Sequence, residues 1–176
     1  MAVFVVLAAS VPALAGAQPV APYAGQQARD VKSLSADEVK AYLAGDGLGM
    51  AKAGELNHYP GPKHVLDLAA QLRLTADQQR RIERVRSVMT ATAVPLGTEL
   101  VGAERSLDEA FANRTIDEAT LRATTLHIGE LQGKLRAVHL SAHLATRAIL
   151  TAEQIAAYDA LRGYGSGDGA MHHHGS

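Results

Sequence analysis

His139 and His143 stand four residues apart, a spacing that sets both imidazoles on one face of a helix, about one turn from each other. Neutral imidazoles so placed can share a zinc, copper or nickel ion. His127 falls on a different face and is a poor third ligand; Glu130, a second copy of the chain, or the terminal His172-His173-His174 could complete the set. The ordinary alternative is a pair of solvent-facing or hydrogen-bonded histidines. The terminal histidines would hold nickel, copper or zinc weakly by themselves. His58 and His64 flank Pro60-Gly61-Pro62 and read as structural.

Catalytic chemistry finds less support. The sequence has no H-E-x-x-H, no G-x-S-x-G, no P-loop and no cysteine nucleophile. The acids alternate with bases and read as surface pairs, so no catalytic residue is assigned and no cofactor is required. Gly45, Gly47 and Gly49 imitate part of a nucleotide-binding pattern, but no strand precedes them, and they read as a turn.

A second chemical feature is a run of arginines: Arg73, Arg80, Arg81, Arg84 and Arg86. Cations this early in a helix oppose its dipole, at ~0.3–1 kcal/mol each. Pairs such as Arg80 with Glu83 offset part of that, and a solvated charged face is the default reading.

The elements that position these groups are announced by a repeated motif. Leu74-Thr75-Ala76-Asp77-Gln78 returns as Leu150-Thr151-Ala152-Glu153-Gln154. Thr at N-cap and Gln at N3 can satisfy each other's backbone N–H groups, and the acid at N2 faces the positive end of the helix dipole. Leu150 can staple onto Ile155, whereas Leu74 meets only Gln79. Ser35-Ala36-Asp37-Glu38 and Thr115-Ile116-Asp117-Glu118 read as two more capping boxes.

Helices are therefore expected from Ser35 toward Leu43, from Leu48 to Asn57, from His64 to Leu72 and from Thr75 to about Phe111, with a kink at Pro95 near Gly97. Ile82, Val85, Met89, Leu96, Leu100, Ala103 and Leu107 form one apolar stripe on the long helix. The next helix repeats Leu121, Ile128, Leu135, Ala142 and Ile149 at heptad spacing. The two should pair as an antiparallel hairpin.

Two L-T-x-x-Q boxes in this setting resemble the Spy/CpxP family of periplasmic proteins, over Leu72 to Leu161. The resemblance implies an all-α fold: a long kinked antiparallel helical hairpin, a short C-terminal helix and small N-terminal helices. It also implies an ATP-independent chaperone that attracts unfolded or misfolded periplasmic proteins with basic surface and holds them with apolar surface. Zinc-binding and heavy-metal-sensing relatives add a metal sensor or buffer as the alternative, and docking on the periplasmic part of a sensor kinase as a third reading.

The residues offer both surfaces. Leu126, Leu140 and Leu144 line the back of the second long helix around Gly133 and Ala137, and Val94 and Val101 do the same on the first. A helix apolar on two faces is usually buried on both. The second face is thus expected to meet the N-terminal helices, a second copy in a homodimer, or clients. Arg80, Arg81, Arg84 and these five apolar residues are the candidate client contacts.

The compartment follows from the ends of the chain. Met1 to Leu14 is apolar, followed by the small-residue signals Ala13-Leu14-Ala15 and Ala15-Gly16-Ala17. Residues 1–17 read as a signal peptide cut near Ala15 or Ala17, without the usual basic n-region and too short for a span of ~20 apolar residues. A periplasmic protein with no stable membrane insertion after cleavage is expected. Residues 18–33 read as a flexible N-terminus, 34–162 as one helical domain and 163–176 as a disordered Gly/His-rich tail. The absence of cysteine excludes disulfides, a lipoprotein anchor and thiolate metal sites. The net charge of −1 gives no case for nucleic acid.

Overall fold

The structure, a computed structural model, describes residues 21–164. The expected signal peptide, residues 18–20 and the tail past Tyr164 lie outside the described residues. Six α-helices follow a short 3-10 turn at Gln26–Ala28, and no strand occurs among the described residues: α1 Ala36–Ala44, α2 Lys52–Glu55, α3 Pro62–Asp67, α4 Ala76–Ala112, α5 Glu118–Arg147 and α6 Ala152–Arg162. The architecture is all-α. α4 and α5 form the long pair, with small helices before it and one short helix after it.

Local chemistry sets most of the helix starts. The Ser35, Thr75 and Thr151 boxes are closed in both directions, each side chain capping the N3 backbone and each N3 side chain returning to the N-cap. The expected box at Thr115 is shifted instead. Asp117 is the N-cap of α5 and accepts from the Thr120 N–H at 2.7 Å, so Thr115 stays in the connecting turn. Pro62 opens α3 at a position where its missing N–H costs nothing, two residues before the expected start. α2 is a single turn, not the longer helix expected from Leu48 to Asn57. α4 runs as one helix through Pro95.

The two boxes are also joined to each other. Gln78 Nε2 donates to Gln154 Oε1 at 2.8 Å, and Gln154 Nε2 donates back to Gln78 Oε1 at 3.1 Å. Their remaining amide protons go to the carbonyls of Ile149 at 3.0 Å and Leu72 at 3.2 Å. Each glutamine thus caps its own helix and clasps the other. Beneath the clasp, Val65, Leu72, Leu74, Ile82 and Tyr158 form a buried cluster against which Leu150 packs. Leu74 is therefore a core residue and not merely a neighbour of Gln79. The Tyr158 hydroxyl donates to Glu55, and Asp159 accepts from His58 Nδ1 at 2.7 Å, tying α6 to the α2–α3 region.

A second cluster fills the middle of the hairpin and its N-terminal cover. Leu100 and Val101 of α4 share it with Leu131 and Leu135 of α5 and with Val31, Leu34 and Tyr42 of the N-terminal segment. Gly97 makes that approach possible, because a Cβ there would overlap the Tyr42 backbone carbonyl. Packing begins before residue 34, contrary to the expected flexible segment. Val31 is 1% exposed, Asp30 pairs with Arg105 at 2.6 Å, Lys32 pairs with Asp108 at 2.9 Å, and Ser33 donates to Glu104 at 2.8 Å. At the other end of the domain, Gly163 closes α6 in the left-handed region, and the Tyr164 N–H donates to the Asp159 carbonyl at 2.8 Å.

Candidate functional site

An open groove runs along one side of the hairpin, with a volume of about 640 Å³. α4 contributes Val85, Val88 and Met89, with Arg81 and Arg84 at the rim. α5 contributes Ala137, Ser141 and Ala145, with Ile149 at one end. Residues 137, 141 and 145 recur every fourth position, so their short side chains form one shallow strip and leave room above the seam. Val88 is 67% exposed beside it. No carboxylate is among the groove's lining residues.

The arginines divide between two roles. Arg80 pairs with Asp77 at 3.3 Å, in place of the expected Glu83, and Arg81 reaches the same carboxylate at 3.9 Å. Arg84 has no acid partner among the described residues. Exposed pairs of the Asp77 kind contribute little to stability, at most ~1 kcal/mol, so Arg81 stays available to an incoming anion.

The expected apolar contacts separate in the same way. Leu144 is 58% exposed and follows Ser141 by three residues, which puts it on the flank of the groove. Leu126 is 69% exposed on the same face of α5, about 27 Å away by the helical rise. The other three are not free surface. Val101 lies in the hairpin core at 4% exposure. Val94 is half-buried under the Gly45 turn, and Leu140 is half-buried with its Cδ2 3.4 Å from where a Cβ on Gly54 would sit. The N-terminal cover takes their face of the hairpin, which corrects their assignment as client contacts.

On that covered side lies a recess of about 460 Å³, between the hairpin, the Gly45–Gly49 turn, α2 and the start of α3. Both His139 and His143 face it, and Met89 lines it from α4 as well as lining the groove. His143 Nδ1 lies 2.6 Å from the Tyr59 carbonyl and must carry the proton there, leaving Nε2 as the acceptor of the neutral ring. His139 is 4% exposed and its Nε2 has no hydrogen-bond partner. Burial holds the His139 imidazole below its ordinary pKa, the neighbouring His143 adds to that, and Asp46 opposes it. His139 is thus a neutral buried ring at neutral pH.

The additional metal ligands considered from the sequence are engaged elsewhere. Glu130 pairs with Lys134 at 2.7 Å and His127 with Glu99 at 3.2 Å, both on exposed helix surface. His172-His173-His174 lie outside the described residues. Among the described residues no group of three His, Asp or Glu side chains is arranged to hold a metal ion. His58 is structural, as expected, held by Asp159 at 2.7 Å. His64 lines the recess, and burial lowers its pKa.

The sequence reading missed Val88, Ser141 and Ala145. The four-residue recurrence of small side chains beside the apolar seam was the signal that could have found the strip.

Among the described residues no helix is long and apolar enough to cross a membrane. The family model for LTXXQ motif family proteins matches residues 61–162. No curated protein and no solved structure gives a match.

Proposed function

The chain belongs to the LTXXQ motif family, the family of Spy/CpxP-like proteins, and from that premise we propose that it is a periplasmic, ATP-independent chaperone whose client surface is the α4–α5 groove. The observation that carries this reading is the groove itself: an uncovered apolar strip rimmed by Arg81 and Arg84. Exposed apolar surface costs about 25 cal/mol per Å² in water, and an unfolded segment laid on the strip relieves that cost on both partners. The arginines raise the encounter rate with acidic stretches, and their attraction weakens with salt. Leu144 extends the contact along α5, and Leu126 offers a separate foothold further along. Such contacts are shallow and individually weak, so a client leaves without nucleotide-driven release. The role is binding, not catalysis.

The test is aggregation of a chemically denatured client diluted into buffer with the full chain. Suppression at up to equimolar ratio that survives chelator, and that falls with Val88→Asp and Leu144→Asp while circular dichroism is unchanged, is the expected result. Full suppression by both variants would remove the groove from the mechanism. A change in oligomeric state with the same substitutions would assign the strip to a second copy of the chain instead.

One observation favours a second reading, metal binding. His139 and His143 face the same recess, and one buried ring nitrogen has no partner. Zinc titration of the wild type and of His139→Ala/His143→Ala distinguishes the readings: loss of tight binding in the double variant favours a metal site, and its persistence excludes this pair.

A further inference from the structure

The recess on the covered side has a chemistry of its own, separate from the groove. Its volume of about 460 Å³ lies within the usual range for small-molecule sites, ~300–1,000 Å³. Its apolar walls are Leu48, Ala51, Leu56 and Met89. Leu48 and Leu56 are 45% and 50% exposed and present apolar surface at its mouth.

The charged groups are uneven. Lys52, Lys63 and Arg162 line the recess against Asp46 and Glu55. Glu55 is already committed. It accepts from the Tyr158 hydroxyl and from the Gly61 N–H at 3.2 Å, and it lies 3.7 Å from Arg162. Lys52 and Lys63 are exposed and have no carboxylate within salt-bridge distance among the described residues. The recess therefore carries uncompensated positive charge beside apolar wall.

The polar wall is incomplete as well. Buried ring nitrogens nearly always find a partner, yet His139 Nε2 has none. His143 has spent its Nδ1 proton on Tyr59 and has an acceptor left at Nε2. Only a head group that carries a proton pairs with that acceptor, as a singly protonated phosphate monoester does.

We propose that the recess binds a small amphiphilic anion, with a carboxylate or phosphate monoester head drawn by Lys52 and Lys63 beside the His139–His143 pair and a short aliphatic body against Leu48, Leu56 and Met89. The lysines supply attraction, the His143 acceptor favours a phosphate head that still carries a proton, and the leucines lose their exposure when the site fills. Met89 is shared with the groove, but Val88 and the groove arginines play no part in this binding.

The test is histidine-imidazole NMR of the full chain titrated separately with hexanoate, hexyl phosphate, hexylamine and hexanol. Saturable shifts at His139 and His143 with either anion, and none with the amine or the alcohol, are expected; the tighter anion identifies the head. Lys52→Glu/Lys63→Glu weakens binding at least about tenfold, with circular dichroism and client suppression unchanged. Lys52→Met/Lys63→Met, which removes charge without adding an acid, also weakens it. Val88→Asp leaves binding intact. No saturable shift with either anion overturns the proposal, as does equal binding of hexylamine or hexanol, or wild-type affinity in both lysine variants.

Discussion

The end of the molecule where the two boxes meet and the stretch of hairpin beside it are built from the same kinds of residue and put to opposite uses. At the box end the four hydrogen-bonding groups of the Gln78 and Gln154 amides are all engaged, and Val65, Ile82 and Tyr158 are fully buried. Along that stretch, Val88 and Leu144 stand in solvent and the His139 Nε2 is unpartnered. The amide clasp is saturated, although Asp159 Oδ1 in α6 is buried without a partner; a saturated contact contributes stability and has nothing left to offer a ligand. An unsaturated one costs stability and retains binding capacity. The contrast locates fold specification in the boxes and exposed apolar surface along the hairpin.

Breaking the clasp has the largest expected effect. Gln78→Ala removes the N-cap return bond, the bond to Ile149 and the pairing with Gln154. About 2–3 kcal/mol of stability should be lost in urea denaturation, at roughly 0.5–1.5 kcal/mol per bond. The double variant with Gln154→Ala should cost less than the sum of the single ones, because the two side chains share partners. Additive losses would mean that the boxes act as independent caps.

Gly97→Ala comes next. The added methyl meets the Tyr42 backbone and must push α1 off α4, at about 1–3 kcal/mol. Hydrogen exchange should then rise in α1 while the box end stays protected. Uniform loss of protection would show that the two regions unfold as one.

Val88→Asp and Leu144→Asp sharpen the comparison from the other side. Both positions are exposed, so thermal unfolding should change by no more than about 0.5 kcal/mol while client suppression falls. Destabilisation beyond 1 kcal/mol would mean that the strip is packed in solution.

The smallest effect is on pH dependence. His139 and His64 have folded pKa values below the ordinary histidine value, chiefly through burial. The unfolded chain therefore binds more protons than the folded one in this range. Stability is full above about pH 6.5 and falls as the pH drops toward the folded-state values. His139→Gln should flatten that slope in a series of unfolding curves. An unchanged slope would assign the dependence to His64 or to other groups.

Reading the sequence located the starts of α1, α4 and α6 because a capping box closes within four residues and needs no distant partner. It failed at α5, where Asp117 outcompetes Thr115 for the N-cap position, a choice between two adjacent local solutions. The charge of Arg81 and Arg84 and the apolar spacing of Leu144 were legible in the sequence, and the structure leaves these three exposed while it covers Val101 and Leu140; spacing places a residue on a face without saying what covers that face.

The sequence by itself thus determined the helices, their caps and the apolar faces of the hairpin, all of which follow from interactions between near neighbours along the chain. Only the tertiary structure decided that the two boxes clasp each other, that residues 30–34 and α1 occupy one second face, and that the groove stays open. Those outcomes depend on contacts between residues some seventy or more positions apart, such as Gln78 with Gln154 and Lys32 with Asp108. Periodicity carries no information about such pairs, because it fixes direction around one helix and not which other helix lies there.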